Sequence, residues 1–389
     1  MFTVYSIYIL CFLIIFLVFL LIKQLQINFN TLATIFLTII IIYFIISPNE
    51  CISSALQGAK LFANSILPSL FPFMVICNML IAFDGIKIYS KIIGPILCKP
   101  LRLSKCSSFA IVASFLCGYP LGAKYSADLY KKKYISKDEF SRLLNIASNA
   151  GPLFIIGAIG SSMLNNPYFG YIILISNYLS AIIIGFLTIK KGSIINSDLE
   201  IALDDEKDKK NIGEILKDSI SDAVLGVLTI GGYVIFFSLL ISVIKNNPLS
   251  KSLLSSTSQN SEIFTGFILG SLDLSNGSSI VATGNLNLII KLCLLSFICS
   301  FGSISVVAQV NSFIYKYKIS MAKYTLYKFL QGIISIIICY ILCFFTLNSL
   351  TVFNNMTLNI PSYYYLIPTL IILIISFITI GIYKLLDFS

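Results

Sequence analysis

An uncharged segment, residues 106–123, ends in the sequence Phe115-Leu116-Cys117-Gly118-Tyr119-Pro120-Leu121-Gly122-Ala123. Clusters of lysine and arginine flank it on both sides. Basic residues stay on the cytoplasmic side of a bilayer, so both ends of the segment are expected on that side. The segment is also short for a crossing, and Gly118, Pro120 and Gly122 interrupt its apolar run. It is therefore predicted to be a re-entrant hairpin, because irregular backbone at that depth must face protein or a water-filled cavity.

The next apolar segment, residues 143–161, is long enough to cross the bilayer, but a helix-breaking sequence lies in its middle. That sequence is Ser148-Asn149-Ala150-Gly151-Pro152-Leu153-Phe154. Proline removes a backbone hydrogen bond and clashes with the preceding turn, so we expect a break or kink near residues 149–151. Freed carbonyl groups and the polar side chains would then lie near the bilayer midplane, where broken helices of secondary transporters hold solutes.

Composition places the chain among the helical membrane proteins. Of its 389 residues, 57% are hydrophobic and 11% are charged, and the mean hydropathy is +0.92. The formal net charge of +10 is attributed to loop lysines that fix topology, and it does not indicate nucleic acid as a partner. Histidine is absent, and no paired buried carboxylates or metal-ligand spacings occur. No cofactor or metal is therefore expected, and the chain is not predicted to be an enzyme.

The hydrophobic pattern predicts an all-α polytopic membrane protein with about nine transmembrane helices and two re-entrant hairpins. The predicted crossings are residues 5–22, 32–46, 62–83, 143–161, 168–189, 223–244, 288–314, 329–347 and 364–385, and the hairpins are residues 107–123 and 263–283. This layout puts the N-terminus outside and the C-terminus in the cytoplasm. Of the 27 lysines and arginines, Lys328 included, all lie on the cytoplasmic side except Lys60, Lys245, Lys251 and Lys291. Membrane topology follows such a bias.

The second half of the chain repeats the first in inverted orientation. Its hairpin contains Leu272-Asp273-Leu274-Ser275-Asn276-Gly277, and the crossing after it is predicted to break at Ser300-Phe301-Gly302-Ser303-Ile304-Ser305. An odd number of crossings separates the hairpins, so they are predicted to enter from opposite sides, as in transporters built from inverted repeats. The predicted domains are N-terminal helices (1–50), a first repeat (51–192), a charged cytoplasmic linker (193–217), a second repeat (218–347) and a C-terminal helix (348–389).

Two polar residues of the second repeat allow two interpretations each. Asp273 is the one acid predicted to lie in the membrane interior, where carboxylates usually mark ion, proton or substrate paths. It could equally cap the hairpin turn by accepting hydrogen bonds from neighbouring amides. Gln309 could hydrogen-bond a solute or a neighbouring helix.

The motifs in both halves resemble those of a known family. The sequences Gly118-Tyr119-Pro120-Leu121-Gly122-Ala123-Lys124 and Ser148-Asn149-Ala150-Gly151-Pro152, with the two second-half motifs, are similar to the sporulation integral membrane proteins of the YlbJ family. The resemblance covers roughly residues 51–315. The chain departs from the pattern at Asp273, where Glu is expected, and at Ser303, where Gly is expected. Both departures concern the second hairpin and the broken helix after it.

The resemblance implies a nucleoside-recognition, or Gate, domain in each repeat, similar to concentrative nucleoside transporters and to the gate region of ferrous iron transporters. It also implies a part in building the spore cortex, in the membranes surrounding the forespore. The expected partners are the lipid bilayer, a small polar, nucleoside-like solute and a coupling ion, and a homo-oligomer is left open.

The favoured hypothesis is a transporter-like protein in which hairpins and broken helices enclose a midplane cavity. Its predicted binding residues are Ser148, Asn149, Gly151, Pro152, Gly118, Pro120, Asp273, Ser275, Asn276, Ser303 and Gln309. Hydroxyl and carboxamide groups would supply hydrogen bonds, Gly and Pro the broken backbone, and Asp273 the coupling of an ion or proton. The alternative is a membrane scaffold that does not transport and recruits cortex-building proteins through the charged segment 193–217.

Overall fold

A computed structural model of the chain describes residues 29–189, 211–246 and 259–350. These residues form helices and connecting turns and contain no β-strand. The chain divides into two compact units, Met1–Leu342 and Cys343–Ser389, and the contacts described below lie within the first. The predicted crossings 5–22 and 364–385 and most of the predicted linker 193–217 lie outside the described residues.

The helices of the described residues follow one another with short connections. They are α1 (Phe29–Ile46), α2 (Pro48–Leu61), α3 (Leu67–Ala82), α4 (Gly85–Ile92), α5 (Gly94–Leu97), α6 (Ser107–Cys117), α7 (Leu121–Lys131), α8 (Lys137–Ile146), α9 (Pro167–Leu187), α10 (Ile212–Asn246), α11 (Gln259–Leu272), α12 (Leu274–Thr283), α13 (Leu288–Phe301), α14 (Ser303–Ile314) and α15 (Met321–Leu350). Two further segments, Phe62–Ile66 and Leu153–Met163, are π-helical.

Four helical segments of the described residues are long and apolar enough to cross a bilayer: Pro167–Leu187, Ile212–Lys245, Leu288–Tyr317 and Met321–Thr346. The number rises to six if each of two sharply bent helix pairs is counted as one crossing. The described residues are helical apart from connecting turns and include several candidate crossings, which confirms the predicted class, an all-α polytopic membrane protein.

The predicted crossing 62–83 is part of a longer helical stretch with bends at both ends. Helix begins at Pro48, after a bend of 106° from α1, and α3 meets α4 at 88°. Pro68 has no N–H to donate, and the preceding residues accommodate it by a π-helical turn in which the Leu67 N–H donates to the Phe62 carbonyl. Proline and the π-helical turn therefore shape a segment that hydropathy alone presents as a straight crossing.

Each predicted hairpin is a pair of short helices packed against each other. The first consists of α6 and α7, and the second consists of α11 and α12. Helix α6 has 11 residues, so it is about 17 Å long, roughly half of the 30 Å hydrocarbon thickness. In the second hairpin a Cβ atom on Gly277 would lie 2.1 Å from the Gly270 Cα, so these glycines allow the two arms to touch.

Both predicted breaks are present in the crossings that follow the hairpins. Helix α8 ends at Ile146, and the helical path resumes only at Pro152, which leads into the π-helix Leu153–Met163. Helix α13 ends at Phe301, and Gly302, with φ of +84°, separates it from α14. We refer to residues 147–151 as the first break and to Gly302 as the second break.

Corresponding helices of the two halves make corresponding contacts, both within their own half and with the other half. The second arm of each hairpin packs against the first half of its own broken helix, as α7 does against α8 and α12 against α13. The same arm also packs against the second half of the other repeat's broken helix, as α7 does against α14 and α12 against the π-helix Leu153–Met163. This reciprocal pattern fits the predicted repeat and places both hairpins beside both breaks.

Substitution of Gly122 tests how tightly the first hairpin fits. A Cβ atom there would lie 1.9 Å from the Ala147 carbonyl oxygen, which belongs to the backbone of the first break and cannot rotate away. We expect Gly122→Ala to lower the free energy of unfolding by about 1–3 kcal/mol, the usual effect of overpacking. The measurement is thermal unfolding of the purified protein in detergent.

The matched control is Gly232→Ala in α10, where no atom lies within 4 Å of the added Cβ. It should be neutral or slightly stabilising, because alanine favours helix more than glycine does. Equal melting temperatures for the two variants would contradict the close approach.

Candidate functional site

A cavity of about 480 Å³, which we call the hairpin cavity, lies where the two hairpins meet the two broken helices. Residues from α3, from the π-helical turn before it and from α10 complete its wall. Its polar lining residues are Asn64, Tyr119, Ser162, Asp273, Ser275, Ser305 and Gln309. The remaining lining is mainly apolar, with side chains such as Phe73, Phe154, Ile230 and Val306. Apolar walls with a few convergent polar groups are typical of small-molecule sites.

The turn of the first hairpin lies directly against the first break. Gly118 has φ of +83°, and a Cβ atom on it would lie 2.4 Å from the Gly151 nitrogen. In the opposite direction, a Cβ on Gly151 would lie 2.9 Å from the Cys117 carbonyl oxygen. Backbone therefore touches backbone, and side chains at either position would force the hairpin away from the break.

Asp273 joins the second hairpin to the second broken helix. Its Oδ2 atom accepts hydrogen bonds from the backbone N–H of Asn276 at 2.9 Å and from Asn276 Nδ2 at 3.0 Å. Its Oδ1 atom accepts one from the Ser305 hydroxyl at 2.8 Å, and Ser303 and Ser305 lie 2.9 Å apart through their hydroxyl oxygens. Asp273 is only 2% exposed. It thus caps α12 and lines the hairpin cavity at the same time, so the two interpretations of this residue are compatible.

Asn149 and Ser148 lie at the first break but contact α15. The Asn149 carboxamide oxygen accepts a hydrogen bond from Gln331 Nε2 at 2.9 Å, and its Nδ2 donates to the Ile146 carbonyl at 2.6 Å. The Ser148 carbonyl accepts a hydrogen bond from Lys328 Nζ. All of these side chains are buried. The Asn149 carboxamide and the Ser148 carbonyl are thus bound to protein groups.

The position of Lys328 corrects the prediction that it is a cytoplasmic residue. The predicted crossing started at residue 329, but the helix starts at Met321, so Lys328 lies about two turns inside it. Its side chain is fully buried. Helix starts depend on packing as well as hydropathy, and the apolar pattern alone placed this one too late.

The second break is satisfied by neutral donors. The Tyr119 hydroxyl donates to the Ser300 carbonyl at 3.1 Å, and Asn177 Nδ2 donates to the Cys299 carbonyl at 3.2 Å. Gln331 Nε2 also reaches the Asn177 carbonyl at 3.3 Å. Tyr119 comes from the first hairpin, so it links that hairpin to the second break as well as lining the cavity.

The predicted binding residues fall into two groups in the structure. Gly151, Asp273, Ser275 and Gln309 line the hairpin cavity. The others lie behind this lining, in the turns and breaks that support it. They are Gly118, Pro120, Ser148, Asn149, Pro152, Asn276 and Ser303. A direct role of each residue in binding stays a prediction.

Sequence reasoning missed Lys328, Gln331, Asn177 and the role of Tyr119. The signal that could have identified these residues is a polar side chain within an apolar crossing. Such side chains are costly in a membrane and usually have a functional role. Lys328 and Gln331 are three residues apart and therefore share one face of α15. That spacing could have identified them as a pair.

Comparison with known proteins finds a curated relative that matches most of the chain. No family model matches the chain. The "Sporulation integral membrane protein YlbJ" of Bacillus subtilis (strain 168) is 25% identical over 309 residues, which cover 74% of this chain and 76% of that protein. The match supports membership of the YlbJ family. It confirms the resemblance found in the motifs, whereas the Gate domain remains an expectation.

The chain also resembles solved structures of CNTnw. One is an inward-facing, substrate-bound state, with 16% identity, a TM-score of 0.48 and coverage of 72% of this chain and 75% of that one. The other is a doubly substituted form in an outward-facing state, with 14% identity, a TM-score of 0.46 and the same coverage.

Removal of the Asp273 carboxylate tests its place in this candidate site. Asp273→Ala leaves the Asn276 and Ser305 donors without their acceptor. Because hydrogen bonds to charged groups contribute about 1.5–3 kcal/mol each, the free energy of unfolding should fall by at least about 2 kcal/mol. Thermal unfolding in detergent measures the change.

Ser275→Ala is the matched control, since Ser275 lies on the same hairpin turn and lines the same cavity. It should change the free energy of unfolding by less than about 1 kcal/mol. If Asp273→Ala is no more destabilising than Ser275→Ala, the carboxylate does not hold the hairpin to α14.

Proposed function

We propose that this chain is a multi-pass membrane protein of sporulation, needed for spore cortex formation, which moves or senses a small polar solute in the hairpin cavity. The observation that carries the proposal is the cavity itself, which lies between two hairpins and two broken helices. The sporulation context rests on the name of the Bacillus subtilis relative, and the role in cortex formation rests on the motif resemblance. The proposed location is a membrane surrounding the forespore.

The size and lining of the cavity suit a small polar molecule. Its volume of about 480 Å³ falls within the range of 300–1,000 Å³ that is usual for ligand pockets. Hydroxyl groups of Tyr119, Ser275 and Ser305 can donate and accept hydrogen bonds, and the Gln309 carboxamide can do both. A solute with several hydroxyl or amine groups, such as a nucleoside-like compound, matches this lining better than an ion or an apolar molecule does.

The arrangement of the backbone around the cavity supports movement of a solute. Broken helices and hairpins at membrane depth, related by internal repeat, are the usual architecture of solute sites in secondary transporters. The two hairpins have equivalent contacts here, each with its own broken helix and with the broken helix of the other repeat. Asp273 lies at this junction with a buried carboxylate. It is the proposed group for coupling to an ion or proton.

Filling the cavity separates the proposed function from the scaffold alternative. Ser161 and Ser162 are both exposed, but Ser162 lines the hairpin cavity and Ser161 is not part of the lining. We expect Ser162→Phe to abolish or strongly reduce the formation of heat-resistant spores in a host that lacks the native gene. Ser161→Phe, which adds the same side chain one residue away, should restore spore formation like the unsubstituted chain.

Immunoblots of membrane fractions should show both variants at equal levels. Full heat resistance with Ser162→Phe at that level would contradict a role for the cavity. That result would favour a scaffold acting through segment 193–217, whose deletion would then be the variant that abolishes spore formation.

A further inference from the structure

The Lys328 Nζ atom lies among neutral groups whose electron-rich sides face it. Its Nζ donates hydrogen bonds to the Ser148 carbonyl and, at 2.5 Å, to the Gln331 carboxamide oxygen. The face of the Tyr119 ring lies 5.2 Å from it. A carbonyl oxygen, an amide oxygen and an aromatic face all attract a cation, and together they match the three donors of an ammonium group.

The Ser148 carbonyl is available because the helix breaks at this point. Helix α8 ends at Ile146, so the carbonyl groups of its last turn and of the break lack their intrahelical partners. The C-terminal end of a helix also carries a partial negative charge. In transporters with broken helices, unwound carbonyl groups and such helix ends coordinate cations. The first break therefore has the features of a cation site.

The second break provides an internal comparison. Its freed carbonyl groups, on Cys299 and Ser300, accept hydrogen bonds from the neutral groups Asn177 Nδ2 and Tyr119 hydroxyl. Neutral donors are thus sufficient to satisfy a break in this fold. The first break therefore does not need a lysine merely to satisfy the hydrogen bonds of its carbonyl groups.

Burial makes the charge at Lys328 costly. The side chain is fully buried, and it forms no salt bridge with a carboxylate in the part of the chain that the structure describes. An isolated charge within a membrane protein is expensive and is retained where function requires it. Carbonyl oxygens at a helix end supply the compensating negative charge in place of an acid.

We propose that Lys328 is a tethered cation, which permanently fills an alkali-metal-type position at the first break. While the ammonium is present, the break binds no dissociable sodium or potassium ion. Tyr119 contacts this ammonium and lines the hairpin cavity, so the charge also fixes one wall of the cavity. Events in the cavity would therefore not depend on sodium at this break. The proposal goes beyond the proposed function, and its test needs no solute.

The test is the melting temperature of the purified protein in detergent, in sodium, potassium or lithium chloride against choline chloride at equal ionic strength. The unsubstituted chain should melt at the same temperature in all four salts. Lys328→Ala, which leaves space for an ion, should melt lower in choline chloride and should recover by roughly 3 °C or more in one of the alkali-metal salts, rising with concentration. The same experiment with Lys328→Ser supplies a second small side chain.

Two further variants control for charge and for position. Lys328→Met fills the space without charge, so it should melt lower than the unsubstituted chain and should not respond to the salts. Lys323→Ala removes an exposed lysine from the same helix and should behave like the unsubstituted chain.

Three results would overturn the proposal. One is a salt response of the unsubstituted chain as large as that of Lys328→Ala, and another is no response from either Lys328→Ala or Lys328→Ser. If neither small variant folds, Lys328→Met decides, because a melting temperature at or above that of the unsubstituted chain would show that the break needs no positive charge. A failure of solute transport leaves all these readouts unchanged, so the two proposals can fail separately.

Discussion

The backbone contact between Gly118 and Gly151 is the constraint on which the site depends. It brings the turn of the first hairpin against the first break with no side chain between them. The next residue, Tyr119, is thereby placed with its hydroxyl on the Ser300 carbonyl and its ring beside Lys328. One close approach therefore connects the first hairpin, both breaks and α15. The hairpin cavity is the space left beside this junction.

Each helix break frees backbone groups that the membrane interior cannot hydrate, and the chain satisfies them with side chains from distant segments. At the first break Lys328 donates to the Ser148 carbonyl, and Gln331 donates to the Asn149 side chain. At the second break Tyr119 and Asn177 donate to the Ser300 and Cys299 carbonyls. At the second hairpin, the Asp273 carboxylate accepts from the backbone amide of Asn276 in the first turn of α12. These groups form two connected networks, one behind the cavity at the breaks and one at its wall. Polar side chains at the breaks and at the second hairpin therefore bind backbone groups, which at the breaks belong to distant segments.

The sequence predicted the parts of this architecture that depend on local signals. Glycine and proline at residues 118–122 and 151–152 mark the hairpin turn and the first break, because their effects act within one helical turn. The partners of the break could not be predicted in this way. Ser148 and Lys328 are 180 residues apart, and only packing brings them together. Lys328 was instead assigned to the cytoplasm, since a lysine beside an apolar run usually marks the end of a crossing.

Access of water to the hairpin cavity is the most direct test of the central claim, that hairpins and broken helices enclose a solute site within the membrane. In a variant in which all ten native cysteines are replaced, Ser275→Cys lies in the cavity lining and Ile175→Cys lies 46% exposed on the outer side of α9. A membrane-impermeant thiol reagent is applied to vesicles of each orientation. Ser275→Cys should react from at least one side, because a solute cavity contains water, while Ile175→Cys should stay unreactive in lipid. If Ser275→Cys is as unreactive as Ile175→Cys from both sides, the cavity is closed to water and the transporter-like function is contradicted.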